Sequence, residues 1–431
     1  MHCALPMSSQ PLSFEPPRGM RDFYPEEMAL RNRVFDAWKR AAALSGFAPY
    51  DACVVESLEL LQRKSGEEVT EQIYNFEDKS GRKLALRAEM TPTLARMVAA
   101  RQGSLHFPIK WSAIAQCFRY ERMTRGRKRE HYQWNIDVVG EASVAAEAEV
   151  LYTASNALRL MGMPDGAYRI HVNNRALLGE LLLKQGFAPE HHAAVFLALD
   201  KRGKIPDDEI AALLREEGLP EEGVPRVFDL MGIQTLDEAE AMVGAGSPAV
   251  ARLRELFALA DKYGYADRLV FDIAVIRGLS YYTDIVFEAF DTERKFRAIF
   301  GGGRYDNLLT SIGGDPTPAV GLGFGDVVVA EVLKDILGAD VGMAKDGITV
   351  GYMFPEQRDA AVALAARLRA EGKAVDLALS PLKPKNFFKR AGEGTCAYAV
   401  FIGPDDVASG TAKLKNLATR EETPLVLASS C

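Results

Sequence analysis

The chain has 431 residues, 48% of them hydrophobic and 26% charged, with a formal net charge of -7. That length accommodates two to four domains of about 100–200 residues, and the composition excludes a disordered chain. The mild acidity weighs against a broad nucleic-acid-binding field, and no apolar run reaches the ~18 residues of a membrane span. Residues 1–16 read as a flexible arm: Met1 to Pro17 holds four prolines and lacks the apolar core of a signal peptide. Cys3, Cys53, Cys117, Cys396 and Cys431 are scattered, with no C-x-x-C pair, and the histidines lack H-E-x-x-H spacing. That pattern predicts no disulfide framework and no zinc, and fits a reducing cytoplasm.

The first helix is expected from Pro25 to Ser45, where Val34, Trp38, Ala41 and Ala42 recur at helical spacing before Gly46. An extended stretch runs from Tyr50 to Glu56, and a hairpin spans Gln72 to Arg87 around Asp78-Lys79-Ser80-Gly81. A helix is expected from Thr93 to Arg101, with Thr91 as N-cap and Pro92 at the first helical position. Strands at Ile109–Glu121 and His131–Gly140 flank a basic loop. Residues 177–262 read as a mostly helical insertion whose acidic clusters (Asp207-Asp208-Glu209, Glu216-Glu217, Glu221-Glu222) are solvated faces. Strand alternation resumes at Leu269–Ile276 and Thr283–Phe290, and Ala298-Ile299-Phe300 runs into Gly301-Gly302-Gly303. A linker is expected over 338–347. Beyond it come strands at Ile348–Phe354, Ala374–Leu379 and Tyr398–Ile402, and a helix at Gln357–Ala370. The pattern gives an α+β body with antiparallel strands over 17–337 and an α/β domain over 348–431.

Four segments carry chemistry. In Cys117 to Trp134 a strand ends in an Arg/Lys loop and returns as a strand. Arginine forks bind phosphates bidentately, so the loop suits a polyphosphate or a nucleic-acid end, although an isolated charge run reads more simply as solvated. The return strand favours a site: Gln133, Asn135 and Asp137 share one face, opposite Trp134, Ile136 and Val138. Arg119 and Glu121 are expected to share a face of the outgoing strand. In Ile276-Arg277-Gly278-Leu279-Ser280-Tyr281-Tyr282 an arginine sits among apolar strand residues, where burial calls for an anionic partner. Gly301-Gly302-Gly303-Arg304-Tyr305 and Gly321-Leu322-Gly323-Phe324-Gly325 fit neither a Rossmann nor a P-loop pattern, and tight strand-to-helix packing is the simpler reading of their glycines. In Leu86 to Thr93, capping accounts for Thr91 and Pro92 but leaves Glu89, a carboxylate able to hold an ammonium group.

In this order the four segments resemble the class II aminoacyl-tRNA synthetases and, within them, the histidyl-tRNA synthetase family. Cys117 to Val139 resembles the second class motif, and Arg277 to Tyr282 the histidine-specific signature. The resemblance covers about residues 17 to 425. It implies a class II antiparallel-sheet catalytic domain with a helical insertion, a C-terminal anticodon-binding domain, and a homodimer. It implies that histidine is activated with ATP and Mg²⁺ to histidyl-adenylate, then transferred to the 3′ end of tRNA(His), with no organic cofactor and no zinc.

The resemblance also implies roles. Arg119 would hold the α-phosphate near the amino acid's carboxylate, and Arg277 would stabilise charge developing there; these two are the catalytic candidates. Glu121, Arg127 and Arg129 would position ATP and the tRNA acceptor end. Glu89, Thr91 and Gln133 would hold the α-ammonium group. Asp137 and Tyr282 would bind the imidazole nitrogens, with Tyr281 and Tyr305 lining the pocket. Candidate tRNA contacts are Arg125, Lys383, Lys385, Lys389 and Arg390. Two positions depart from the family. Cys53 stands where the first motif has proline, in the region that builds the dimer interface. Val328, within Gly325-Asp326-Val327-Val328-Val329, stands where the third motif usually carries an arginine that stacks on adenine. Val328 is expected to pack apolar, with another group covering the base. The resemblance also admits a non-catalytic paralogue that regulates ATP phosphoribosyltransferase, but such chains typically lack the C-terminal domain and lose site arginines. Residues 345–431 hold 12 Lys+Arg against 10 Asp+Glu, so the acidity belongs to the body and the basic contacts are local.

Overall fold

The computed structural model describes residues 13–64, 72–121, 126–201, 205–276, 282–338 and 345–427. The chain divides into two units, Met1–Ala339 and Asp340–Cys431. The strands of the first unit are β1 (Ala48–Pro49), β2 (Val55–Ser57), β3 (Asn75–Glu77), β4 (Lys83–Leu86), β5 (Ile109–Phe118), β6 (Glu130–Val139), β7 (Tyr168–Asn174), β8 (Leu269–Phe271), β9 (Ile285–Asp291), β10 (Phe300–Arg304) and β11 (Ala319–Gly325). Among the described residues, eight of them form one sheet in the order β1-β5-β6-β11-β10-β9-β7-β8. Every pairing from β5 to β7 is antiparallel, and β1 and β8 join the two edges in parallel. The expected hairpin forms as β3 and β4, which with β2 make a separate antiparallel sheet.

One face of the large sheet is a packed core. The helix Pro25–Leu44 buries Leu30, Val34, Ala37, Trp38 and Ala41, spaced three and four apart as an amphipathic helix requires. Ser45 closes it, and Gly46 leaves it at φ +71°. Trp38 stacks on Trp134 of β6 at 5.9 Å and meets Phe324 of β11 edge-on at 5.3 Å. The helices Ala145–Leu160 and Asp326–Leu337 pack on the same side. Among its described residues the insertion forms six α-helices between Arg175 and Tyr263, and the acidic clusters named above are solvent-exposed.

Three local expectations are corrected. The strand expected over Leu269–Ile276 stops at Phe271. There the Asp272 carboxylate accepts the Ala274 amide at 3.0 Å, and the Val275 amide turns back to the Asp272 carbonyl. This side-chain turn competes with the ladder. The strand expected to Glu121 ends at Phe118. The Glu121 amide donates to the Arg119 carbonyl at 2.8 Å, a three-residue turn, so Arg119 and Glu121 do not share a strand face. Thr91 is the first residue of the helix Thr91–Arg101, not its cap; Met90 takes the cap position without a side-chain bond.

In the second unit, β12 (Ile348–Tyr352), β13 (Val375–Leu377), β14 (Tyr398–Ile402), β15 (Thr411–Asn416) and β16 (Glu422–Val426) form a sheet ordered β13-β12-β14-β15-β16. The first three are parallel, joined by the helices Arg358–Ala370 and Pro384–Glu393, and the last two add antiparallel. Sequence periodicity had not foreseen the second helix or the final hairpin. The helix Pro384–Glu393 buries Phe387 and Ala391. Lys383, Lys385, Lys389 and Arg390 stay exposed on it and at its start.

Candidate functional site

The other face of β6 carries Gln133, Asn135 and Asp137, as its alternation requires. Beside them on β11, Gly321 pairs with Asp137, Gly323 with Asn135 and Gly325 with Gln133. On β10, Gly303 pairs with Gly321 and Gly301 with Gly323. On β5, Ala113 and Ala115 oppose Asn135 and Gln133. Three polar side chains therefore rise from a floor that has almost no side chains, which makes a trough. The glycines are required by this geometry. A Cβ on Gly321 would collide with Asp137 Oδ1, and one on Gly323 with Gln133 Nε2. A Cβ on Gly303 would lie 2.7 Å from the Ile285 carbonyl oxygen and 2.9 Å from Tyr282 Cδ1. The strand-to-helix packing expected for these glycines is replaced by the close approach of Asp137, Gln133 and the neighbouring strand.

Asp137 is buried at one end of the trough. The Tyr305 hydroxyl donates to its Oδ1 at 2.5 Å. Burial pushes its carboxyl up to about 7, partly offset by the Tyr305 hydrogen bond. Tyr282 and Tyr305 belong to the apolar cluster that closes this end, with Leu94, Val98, Val286 and Leu308. Tyr50 and Trp111 pack against that cluster, their rings 5.5 Å apart. Burial, with the charge of Asp137 beside it, raises the Tyr50 hydroxyl well above its ordinary range. Five of the buried polar atoms without a hydrogen-bond partner among the described residues lie in this region: Gln133 Oε1, Asn135 Oδ1, Asp137 Oδ2, the Tyr50 hydroxyl and Thr93 Oγ1. Buried groups of this kind are costly unless ordered water or a ligand completes them.

Tyr305 is held in place by a fully paired cluster. Arg304 is buried and bonds Glu147 through Nε and Nη2, each at 2.6 Å. Its guanidinium also reaches the carbonyls of Glu141 and Ser143 at 3.0 and 3.1 Å. The Tyr305 amide donates to the Ala319 carbonyl at 2.7 Å. This satisfied ion pair fixes the strand end from which Tyr305 reaches Asp137.

The other end of the site is basic. Arg119 Nε donates to the Ala88 carbonyl at 3.0 Å, and its Nη1 lies 3.9 Å from Glu121 Oε1. Arg127 Nε pairs with Glu121 Oε2 at 2.7 Å. The Arg129 guanidinium lies 3.7 Å from the centre of the Tyr120 ring, and its amide donates to the Gly19 carbonyl at 2.9 Å. Arg21 bonds both Glu130, at 2.5 Å, and Asp326, at 3.0 Å, so the chain just after the arm clamps the base of this loop. Glu89 and Thr91 are buried beside β5. Burial, with Glu89 adding and Arg87 and Arg119 opposing, pushes the Cys117 thiol up to about 12. Arg277, Tyr281 and Arg125 lie outside the described residues.

Sequence reasoning missed three contributors. Tyr50 carries no local signal, because only the β1–β5 pairing brings it to Asp137. Glu288 does carry one: a carboxylate in the middle of a mainly apolar strand, paired with Gly301 and so on the trough face. Arg87 bonds the carbonyls of Ala52, Cys53 and Gln116 at 2.9, 3.4 and 2.9 Å. It fixes from the side the backbone at Cys53, where a proline ring would fix it from within.

The family model "Histidyl-tRNA synthetase" matches residues 19–325, and "Anticodon binding domain" matches residues 347–429. A chloroplastic/mitochondrial histidine–tRNA ligase of Arabidopsis thaliana is 42% identical over 413 residues, 95% of this chain and 85% of that protein. A histidine–tRNA ligase of Opitutus terrae is 38% identical over 419 residues, 95% of each chain. Among solved structures, a histidyl-tRNA synthetase of Nostoc sp. superposes with a TM-score of 0.82 at 23% identity, covering 96% of this chain and 97% of that one.

Proposed function

The chain belongs to the histidyl-tRNA synthetase family and is an ATP-dependent class II ligase joining histidine to tRNA; from that premise we propose how its residues divide the work. The histidine carboxylate attacks the α-phosphorus of ATP, the bond to pyrophosphate breaks, and histidyl-adenylate forms. A ribose hydroxyl at the 3′ end of tRNA(His) then attacks the histidyl carbonyl, and AMP leaves.

The observation that carries the assignment is the unpaired Asp137 Oδ2 above the glycine floor. Neutral imidazole offers one donor and one acceptor nitrogen. Asp137 Oδ2 accepts from the ring N–H, while Tyr305 occupies Oδ1 and orients the carboxylate. The Tyr282 hydroxyl faces the second nitrogen, and Tyr281 lines the same pocket. Glu89, Thr91 and the free Gln133 Oε1 receive the α-ammonium group. Arg119, anchored through Nε, turns its remaining N–H groups to the α-phosphate, and Arg277 supplies the second guanidinium there. Such fixed donors act on charge that grows in the transition state. Glu121, with Arg127 and Arg129, shapes the ATP and acceptor-end site. Mg²⁺ enters as MgATP, held by the phosphates.

Lys383, Lys385, Lys389 and Arg390, exposed around the helix Pro384–Glu393, suit the phosphates of tRNA, as does Arg125. We place the reaction in the cytoplasm, in keeping with cysteines that stand free at Cys53, Cys117 and Cys396. We also place it in a homodimer, supported by the exposed apolar side chains of Val54, Val55 and Phe76 on and beside the small sheet. ATP–pyrophosphate exchange with each amino acid tests the reading. Exchange with histidine alone is expected. Exchange with none overturns the activity, and exchange with a different amino acid overturns the specificity.

A further inference from the structure

We propose that Arg297 covers the adenine ring of ATP, entering from the loop between β9 and β10 the space that Val328 leaves open. The inference rests on the reading of this site as one that uses ATP. A recess of ≈ 240 Å³ is lined by Gly126, Lys295, Phe296, Arg297 and Val328. Whole drug-sized ligands fill about 300–1,000 Å³, so this recess fits one ring system of a larger ligand.

Its walls favour a flat, uncharged, aromatic group. Val328 presents methyl groups from the first turn of the helix Asp326–Leu337, and Phe296 is among the lining residues. Gly126 stands between the two sides at φ +79°. A Cβ there would lie 3.7 Å from Val328 Cγ2 and 3.9 Å from Arg297 Cγ and Cδ. The arginine stem and the valine therefore face each other across a narrow gap.

Three nearby cations among the described residues are already engaged. Lys295 pairs with Glu293 at 2.7 Å and Asp335 at 3.4 Å, Arg127 pairs with Glu121, and Arg129 stacks on Tyr120. Arg297 is exposed and, among the described residues, has no ion-pair or hydrogen-bond partner. A planar guanidinium stacks on an aromatic face as an ammonium does not.

The test is histidine-dependent ATP–pyrophosphate exchange together with calorimetric binding of adenosine. Arg297→Ala should raise the KM for ATP about tenfold, leave the KM for histidine unchanged, and weaken adenosine binding. Arg297→Lys should recover little. Arg297→Ala combined with Val328→Arg should regain most of the loss, because a guanidinium re-enters from the other wall. An unchanged KM for ATP, weakened inhibition by pyrophosphate with adenosine binding intact, or no recovery in the double variant would each overturn the proposal. A wild type that shows no exchange would instead overturn the enzymatic reading, and adenosine binding would still test Arg297.

Discussion

Trp134 and Asp137 lie three residues apart on β6, in opposite environments. On Trp134's face the contacts are mostly apolar: its ring stacks on Trp38 and its Nε1 donates to Ser112 Oγ at 2.9 Å. On Asp137's face, polar atoms are buried without partners over a floor of glycine. The first face is built for stability. The second leaves buried polar groups unpaired, the loss of stability expected of a preorganised site. One strand can do both because its side chains alternate.

Stability should separate the two faces first. Trp134→Ala should cost about 3–5 kcal/mol, read as a lower melting temperature with little change in the KM for histidine. Asp137→Asn should act in the opposite sense. The folded protein holds the Asp137 proton up to about pH 7, against 3.8 for the free group. The stability linked to that proton is fully present below pH 3.8 and is lost as pH rises through 7. Removing the charge should therefore raise the melting temperature, with a gap that opens above pH 4 and is full at pH 8. Its upper bound is on the order of 4 kcal/mol. Melting curves of both variants across pH check this, and a lower melting point for Asp137→Asn at pH 8 would break the contrast.

Chemistry should separate from binding next. Arg119→Ala should lower the exchange rate about 10²–10³-fold while the KM for histidine stays near the wild-type value, because its partner charge grows only in the transition state. A rise in that KM with the rate preserved would move Arg119 out of the reacting centre. A smaller effect is expected of the floor. Gly321→Ala places a methyl group against Asp137 Oδ1, and should raise the KM for histidine about tenfold, the loss of roughly one hydrogen bond to a charged group. Far-UV circular dichroism should be unchanged. An unaffected KM would mean that the glycine floor serves packing alone.

The sequence made these faces legible to different depths. Alternation placed Gln133, Asn135 and Asp137 together, because strand periodicity is local. It also placed the helix Pro25–Leu44 and the strands β5 and β6 to within a few residues. The meaning of Gly321 and Gly303 was hidden, since a close approach depends on strands far away in sequence. Tyr50 was silent for the same reason: Asp137, whose charge acts on it, is 87 positions further on. Arg119 and Glu121 were misplaced because a single turn after Phe118 overrides alternation. The ion pair of Arg304 with Glu147 was equally hidden, although it positions Tyr305.

The central claim is that Asp137, held by Tyr305, reads the imidazole of histidine. The apparent KM for histidine of Asp137→Asn, in ATP–pyrophosphate exchange at pH 8, tests it most directly. The account predicts a rise of at least about tenfold with an unchanged KM for ATP. An unchanged KM for histidine, or a rise confined to ATP, would contradict it.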